Sequence, residues 1–319
     1  MKYYIGIDLG GTNIVAGIVD ENFNILAKES TKTKLPRPAE EIAADMIMVS
    51  KKAVETAGLT MDQIENVGVG CPGTCNKETG IIEYSNNLRF DNVPLVELME
   101  KGLGKKVFIE NDANAAAYGE YLAGAGKGCN SMVAITLGTG VGSGIIIDGK
   151  ILTGFAYAGA ELGHGVIVAN GRPCTCGRNG CLEAYASATG LIVSTKEAME
   201  ANKDSVMWEL CGNDLSKVSG RTAFDAMRKG DKAGTKVVDE YIEYLAIGVA
   251  NIINAFQPEK LCIGGGICKE GDTLIKPLIE KVTPQTYARR EEARTKIVVA
   301  ELGNDAGVIG AAMLGTEKK

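Results

Sequence analysis

Residues 3–13 read YYIGIDLGGTN, an apolar β-strand pattern that ends in an aspartate and a pair of glycines. Strand patterns continue over residues 13–19 and 23–30, with residues 20–22 as the turn between them. A helical pattern follows over residues 39–57. Three consecutive strands followed by a helix predict an α/β fold.

The same plan recurs near the middle of the chain. Residues 131–137 form a second apolar strand pattern that ends in the turn Gly138-Thr139-Gly140. Residues 143–148 and 150–152, joined by the turn Asp148-Gly149, predict a hairpin. This weak internal repeat predicts two α/β domains of related plan that face each other across a cleft.

Glycine turns at strand ends are the candidates for binding phosphate. No Gly-Lys pair in the sequence is followed by Ser or Thr, so a Walker motif is absent, and the GxGxxG match at residues 68–73 does not open a helix. The turns at residues 8–13 and 138–140 each offer backbone N–H groups to a polyphosphate. Asp8 could hold Mg²⁺ through water. Two ordinary hairpin turns are the alternative.

Composition and charge argue against several classes of protein. The 319 residues carry a formal net charge of −6 and no cluster of basic residues, so a nucleic-acid partner is not expected. No apolar run of ~18 residues predicts a membrane span, and the N-terminal segment lacks the apolar core of a signal peptide. We therefore expect a cytoplasmic protein without a membrane partner.

A cluster of cysteines and a histidine predicts a metal site. His164 is the only histidine in the chain, and Cys174, Cys176 and Cys181 follow it closely. Three thiolates and one imidazole at this spacing fit tetrahedral Zn²⁺. Four protein ligands close the coordination shell, so the zinc is predicted to be structural. Hydrolase chemistry that needs a free histidine base is disfavoured.

Carboxylates near these motifs are candidates for acid–base work and for sugar binding. Asp112 follows a predicted strand and opens an alanine-rich helix, where it could accept a proton from a substrate hydroxyl. Helix capping is the alternative for Asp112. Glu161 and Glu183 flank the zinc ligands, so a rigid loop would hold both near a polyhydroxylated substrate, unless they are surface glutamates.

Together these stretches resemble the ROK family (repressors, unclassified reading frames and sugar kinases), a branch of the actin-like ATPase and hexokinase superfamily. The matching stretches are residues 8–13, 110–120, 137–144, 161–164 and 174–183. The resemblance covers essentially the whole chain, and within the family it is greatest to bacterial glucokinases. The fold it implies is α/β, with two actin-like/hexokinase-like (ribonuclease H-like) domains around a cleft. The predicted boundaries are 1–117 plus 302–319 for a small domain and 118–301 for a large one with the zinc loop.

The resemblance also implies an activity, which is ATP-dependent phosphorylation of a hexose, glucose first, with Asp112 as general base. The implied sugar contacts are Gly73, Asn87, Asn111, Asp112, Glu161, His164 and Glu183. From the turns and the resemblance together, the predicted nucleotide contacts are Asp8, Gly10, Gly11, Thr12, Asn13, Gly138, Thr139, Gly140 and Gly265. The expected cofactors are ATP, Mg²⁺ and a structural Zn²⁺ on His164, Cys174, Cys176 and Cys181. A homo-oligomer, dimer or tetramer, is implied as well.

Other functions within the family stay open. A ROK kinase for N-acetylmannosamine, N-acetylglucosamine or fructose is one, because Thr74-Cys75 and Asn86-Asn87-Leu88 depart from the glucokinase pattern beside the predicted sugar pocket. A sugar-responsive repressor would need a DNA-binding helix-turn-helix before the first glycine turn, and no room for one is expected before Asp8. A noncatalytic sugar-sensing protein is a third alternative, against which the presence of Asp112 argues.

Overall fold

The structure is a computed structural model and describes residues 1–316 as a mixed α/β protein. The chain folds as two compact units. The first comprises Met1–Ala134, Gly144–Ala160 and the chain from Ala300 onward, and the second comprises Ile135–Ser143 and Glu161–Val299. The boundaries predicted from the sequence, 1–117 with 302–319 and 118–301, stay a prediction.

Strands and helices alternate along much of the chain. The strands are β1 (Tyr3–Leu9), β2 (Asn13–Asp20), β3 (Ile25–Lys32), β4 (Ile64–Cys71), β5 (Thr74–Asn76), β6 (Ile81–Ser85), β7 (Phe90–Val93), β8 (Val107–Asn111), β9 (Ser131–Leu137), β10 (Val141–Ile147), β11 (Lys150–Ile151), β12 (Lys260–Gly264) and β13 (Lys296–Val299). The α-helices are α1 (Ala39–Thr56), α2 (Leu95–Leu103), α3 (Asp112–Ala123), α4 (Glu183–Ala186), α5 (Ala188–Ala201), α6 (Met207–Leu210), α7 (Thr222–Arg228), α8 (Lys232–Phe256), α9 (Asp272–Val282) and α10 (Ala306–Ala312).

The first sheet has the order β3-β2-β1-β4-β8. Strand β1 pairs antiparallel with β2 and parallel with β4, and β4 pairs parallel with β8. The carboxyl ends of β1, β4 and β8 therefore meet at one edge of the sheet, where α/β proteins commonly bind ligands. Asp8, Cys71 and Asn111 lie at these ends.

Helix α10 packs so closely against its neighbours in the first unit that side chains are excluded from the contacts. A Cβ atom on Gly68 of β4 would lie 1.8 Å from the carbonyl oxygen of Ala311, and Gly6 of β1 meets the same helix. On the other side, a Cβ atom on Gly310 would lie 1.7 Å from the carbonyl oxygen of Ala115 in α3. Helix α10 thus joins the sheet to α3 through backbone contacts.

Helix α1 covers the first sheet with an apolar face. Ile42, Met46, Val49 and Ala53, which the sequence placed at helical spacing, are all buried in the core. The helix contacts β2 and β3, so its burial holds the opening hairpin in place.

A small antiparallel sheet of order β5-β6-β7, followed by α2, was not predicted from the sequence. Strand β5 directly follows the Gly73 turn, and its Thr74 is paired with Tyr84 of β6. This small sheet therefore supports one of the predicted sugar-contacting loops.

In the second unit α8 is the central helix and contacts α4, α5, α7 and α9. The buried hydroxyl of Tyr241 in α8 donates to the carbonyl oxygen of Ala186 at 2.8 Å.

A second five-stranded sheet has the order β11-β10-β9-β12-β13, in which β12 and β13 are parallel. Across residues 1–316, no helix combines the length and the apolar character that crossing a membrane requires.

The packing of α10 predicts whether one substitution raises or lowers the free energy of unfolding. Alanine normally favours a helix over glycine by about 1 kcal/mol, but at Gly310 the added Cβ would overlap the Ala115 carbonyl. We expect Gly310→Ala to lower the free energy of unfolding by about 3 kcal/mol, measured by urea denaturation. Gly220→Ala is the control, because a Cβ there meets nothing within 4 Å. Equal stability of the two variants would contradict this packing.

Candidate functional site

Strand β8 runs directly into α3, and the junction carries Asn111 and Asp112. Asn111 caps the helix, because its Oδ1 accepts the N–H groups of Ala113 at 2.9 Å and Asn114 at 3.2 Å. Asp112 is the first helical residue, and its carboxylate accepts the Ala113 N–H at 2.9 Å. The capping role considered for Asp112 therefore falls mainly to Asn111.

Two carboxylates, Asp8 and Asp112, are close enough in the first unit to affect each other's ionisation. Burial raises the pKa of Asp112, while its bond from the Ala113 N–H acts in the opposite direction. Burial and the negative charge of Asp112 raise the pKa of Asp8 to about 6. A pair of partly buried carboxylates with raised pKa values is typical of a site that holds a cation or moves a proton.

The Gly73 turn is joined to the start of α3. The Asn111 side-chain amide donates to the Gly73 carbonyl oxygen at 3.2 Å. Gly73 has φ +115°, and a Cβ atom there would lie 2.1 Å from the carbonyl oxygen of Tyr84, so glycine is required. Asn87 is exposed in the turn between β6 and β7, which follows the β6 residues that Gly73 contacts.

The first glycine turn, at residues 10–13, is braced by the end of β3. Gly10 donates its N–H to the Asn13 carbonyl at 2.9 Å, which closes the turn. Thr33 donates its hydroxyl to the Gly10 carbonyl at 2.6 Å and its N–H to the Thr12 carbonyl at 2.9 Å. Gly11, Thr12 and Asn13 are exposed. The hydrogen bonds from Thr33 therefore fix the turn, while residues 11–13 remain accessible to solvent.

The second glycine turn, at residues 138–140, is braced by the start of α5. Ala188 donates its N–H to the Gly138 carbonyl at 2.8 Å, and the Thr189 hydroxyl donates to the Thr139 carbonyl at 2.7 Å. Gly138 donates its own N–H to the Gly140 carbonyl at 3.0 Å. Gly265 follows β12 and lies against Leu137, where a Cβ atom would come within 2.3 Å of the Leu137 carbonyl oxygen.

The four predicted metal ligands lie together in the second unit. One ligand atom from each of His164, Cys174, Cys176 and Cys181 lies within 4.8 Å of the other three. The Cys174 Sγ and His164 Nδ1 atoms are 3.6 Å apart, and the Cys176 and Cys181 sulfurs are 3.7 Å apart. Ideal tetrahedral zinc gives about 3.6 Å between sulfur and nitrogen and about 3.8 Å between two sulfurs.

The chemistry of these thiols also suits a cation. Burial raises the pKa of the Cys181 thiol to about 12. The Arg178 N–H lowers the pKa of the Cys176 thiol. A buried thiolate is costly without a positive charge beside it, and a divalent metal ion supplies that charge. The distances and the donor set together fit Zn²⁺.

Glu183 is hydrogen-bonded both to the cysteine loop (residues 174–181) and to Val141, the residue that directly follows the second glycine turn. Its Oε1 accepts the Thr175 hydroxyl at 3.2 Å, and its Oε2 accepts the Val141 N–H at 2.9 Å. The sequence indicated proximity to the zinc ligands, but it did not indicate the bond to Val141. Glu161 is exposed and directly precedes the short helical turn that carries His164.

Two charged residues to which the sequence analysis assigned no role lie beside Asn111. Glu110 is 1% exposed, and its carboxylate is paired with the ammonium group of Lys77. The sequence signals for Glu110 were its position at the end of an otherwise apolar strand pattern in β8 and its place in the family-like stretch 110–120. Lys77 lies just after β5, among polar residues that give no pattern of their own.

Comparison with known proteins bears out the resemblance. The family model described as "ROK family" matches residues 4–318. A glucokinase of Thermotoga maritima is 40% identical over an alignment of 318 positions, which covers 98% of this chain and 97% of the relative. A glucokinase of Halalkalibacterium halodurans is 36% identical, with 98% of this chain and 94% of the relative covered.

A solved structure to which this chain is similar also belongs to a ROK family glucokinase. The crystal structure of a ROK family glucokinase from Streptomyces griseus, in complex with glucose and AMPPNP, is 34% identical and superposes with a TM-score of 0.80 over 98% of each chain. The predicted α/β fold of the actin-like and hexokinase type is thereby confirmed. With the motifs, the fold and the nearly full-length match all in agreement, the chain belongs to the ROK family.

Proposed function

We propose that this chain is a glucokinase, an ATP-dependent kinase that converts glucose to glucose 6-phosphate. The observation that carries the proposal is the partly buried Asp112 carboxylate beside the capping residue Asn111, in a chain that matches glucokinases over nearly its whole length. The product would feed glycolysis. Cytoplasmic location and assembly into a dimer or tetramer stay predictions.

In the proposed reaction Asp112 is the general base. Its carboxylate accepts the proton of the attacking sugar hydroxyl, by resemblance the 6-hydroxyl, as the phosphoryl group is transferred. Burial raises the pKa of Asp112 and so makes it a stronger base than an exposed aspartate. The Ala113 N–H fixes the orientation of the carboxylate at the start of α3.

The proposed sugar contacts lie in three places: the junction of Asn111 with Gly73, the turn that carries Asn87, and the cysteine loop. Asn111 and Gly73 are linked by a hydrogen bond of 3.2 Å, so the loop and the base share one support. Asn87, in the turn between β6 and β7, is proposed to add a further contact. Glu161, His164 and Glu183 are proposed to bind further hydroxyl groups, because they lie on or beside the cysteine loop. Fixed carboxylates and amides are suitable partners for a polyhydroxylated substrate.

The two glycine turns are proposed to contribute backbone donors to ATP, with Gly265 on the adenosine side. Asp8 would hold Mg²⁺, since a cation offsets the charge repulsion between this partly buried carboxylate and Asp112. When bound, Mg²⁺ neutralises charge on the phosphates. Asp8 itself lies one residue before the end of β1 and is fixed by the register of that strand.

The cysteine loop is proposed to bind structural Zn²⁺. The ion would supply a cross-link between His164 and the cysteines Cys174, Cys176 and Cys181. Cys174 lies beside Thr175, which donates to Glu183, so a rigid loop would also fix that carboxylate.

Sugar preference is tested by coupled ADP release with ATP·Mg on glucose, mannose, fructose, N-acetylglucosamine and N-acetylmannosamine. We expect the highest kcat/KM with glucose. A higher value with an N-acyl sugar would mean that the Gly73 and Asn87 loops admit an acyl group. No ADP release with any sugar would refute the kinase function.

The same assay needs a matched inactive variant. Asp112→Asn keeps the size of the side chain and removes the base, so kcat on glucose should fall by about 10²–10⁴-fold. Asp62→Asn makes the same chemical change at an exposed position and should leave kcat unchanged. Turnover by Asp112→Asn at the wild-type rate would remove Asp112 from the proposed role.

The raised pKa of Asp8 predicts a variant that is more stable and less active. The folded protein holds the Asp8 proton more tightly than the unfolded chain, so its stability falls as pH rises from about 4 through about 6. At pH 7.5, without nucleotide or Mg²⁺, Asp8→Asn should raise the free energy of unfolding by about 1–3 kcal/mol and lower kcat/KM for ATP. The gain should vanish near pH 4, and a loss of stability at pH 7.5 would contradict it.

Substitution of one cysteine tests the metal site. Cys176 is exposed, so Cys176→Ser creates no cavity and its effect on stability reports the metal. We expect loss of bound zinc by elemental analysis and a free energy of unfolding lower by about 2 kcal/mol or more. Cys211→Ser, outside the cluster, should keep the zinc. A wild-type protein purified with Zn²⁺ present that holds no metal would overturn the site.

A further inference from the structure

Glu110 is a carboxylate buried at the end of a β-strand. It is 1% exposed, and a buried charge is costly unless it is paired and hydrogen-bonded. Its Oε1 accepts the Asn111 N–H at 2.9 Å and the Asn114 side-chain amide at 3.0 Å. The ammonium group of Lys77 forms an ion pair with the other oxygen, Oε2. Within the first unit, Oε1 of Glu110 is thus hydrogen-bonded, whereas Oε2 has an ion-pair partner and no hydrogen bond.

These contacts attach both ends of the short segment Gly73–Lys77 to β8. At one end the Gly73 carbonyl accepts the Asn111 side-chain amide at 3.2 Å. At the other end Lys77 is paired with Glu110. The segment Gly73–Lys77, which contains β5, is therefore fixed to two consecutive residues of β8, and the next residue along the chain is Asp112.

Stability alone does not account for such an ion pair. Replacing a buried ion pair by apolar residues is often neutral or even stabilising, because removing both charges from water is costly. An ion pair does fix position, since it needs a particular pairing of two side chains. Its location beside Asn111 and the Gly73 loop points to the sugar site as the part that is positioned.

We propose that Glu110 and Lys77 are positioning residues that set the Gly73 loop against Asn111 for hexose binding. The inference rests on the proposed kinase function and adds residues that do not themselves touch the substrate. It concerns the sugar rather than the nucleotide, because each contact of the pair leads to Asn111, Asn114 or the Gly73 loop.

The test separates the sugar from the nucleotide. In Glu110→Gln the amide oxygen still accepts the Asn111 N–H, but the partner of Lys77 is lost. We expect KM for glucose to rise about 10-fold or more, KM for ATP to stay within about 2-fold, and kcat to fall less than KM rises. Lys77→Met should give the same pattern, and Lys77→Arg, which keeps a cation, should restore KM for glucose to within about 3-fold.

Lys106→Met is the matched control. Lys106 is exposed and lies over the Phe108 ring at 5.0 Å, beside the same strand, so both Michaelis constants should stay unchanged. If Glu110→Gln does not fold, the Lys77 variants carry the test, since Lys77 is only partly buried.

The same assay distinguishes failure of this inference from failure of the proposed kinase function. An active wild-type enzyme whose Lys77→Met variant keeps KM for glucose, even with a lower Tm, would show a merely structural role and overturn the inference. Equal increases in both Michaelis constants would also overturn it. A wild-type protein that releases no ADP with glucose would instead refute the proposed function on which the inference rests.

Discussion

The first unit depends on the close approach of α10 to the sheet on one side and to α3 on the other. Gly68 in the sheet and Gly310 in the helix leave no room for a Cβ, so these contacts are made backbone to backbone. Contacts of this kind are short and rigid, because no side chain can change rotamer between them. The positions of β1 and α3 relative to each other are therefore set through α10. Asp8 lies near the end of β1 and Asp112 begins α3, so their electrostatic coupling follows from this packing.

Much of this arrangement could be predicted from the sequence where the signal was local. The strand at residues 3–9 and the helix at 39–56 follow from apolar periodicity, and both lie where they were expected. The four zinc-type ligands fall within a short segment, so their spacing alone indicated a cluster that the structure brings together. Strand β3 lies about two residues later than predicted, because Phe23 adopts a positive φ and lengthens the turn.

The features missed from the sequence depend on partners that are distant in the chain. Strands β5 and β7 have three and four residues and contain Asn, Asp and Thr, so they are stable only through pairing with β6. Helix α2 has nine residues and ends just before Gly104, too short a pattern to indicate a helix by itself. The Glu110–Lys77 pair joins two segments with no shared periodicity, and the bond from Val141 to Glu183 likewise spans two separate segments. Such contacts are properties of the tertiary structure.

The place of α10 along the chain has a consequence for synthesis on the ribosome. Strand β1 emerges before the second unit, yet the helix that covers its Gly6 is translated only after the whole second unit. Domains usually fold in the order in which they are made. Here the sheet that leaves the ribosome first keeps an uncovered face until residues 306–312 follow, while the second unit can complete its core earlier. Until α10 is made, this face of the sheet is open to aggregation and to chaperones.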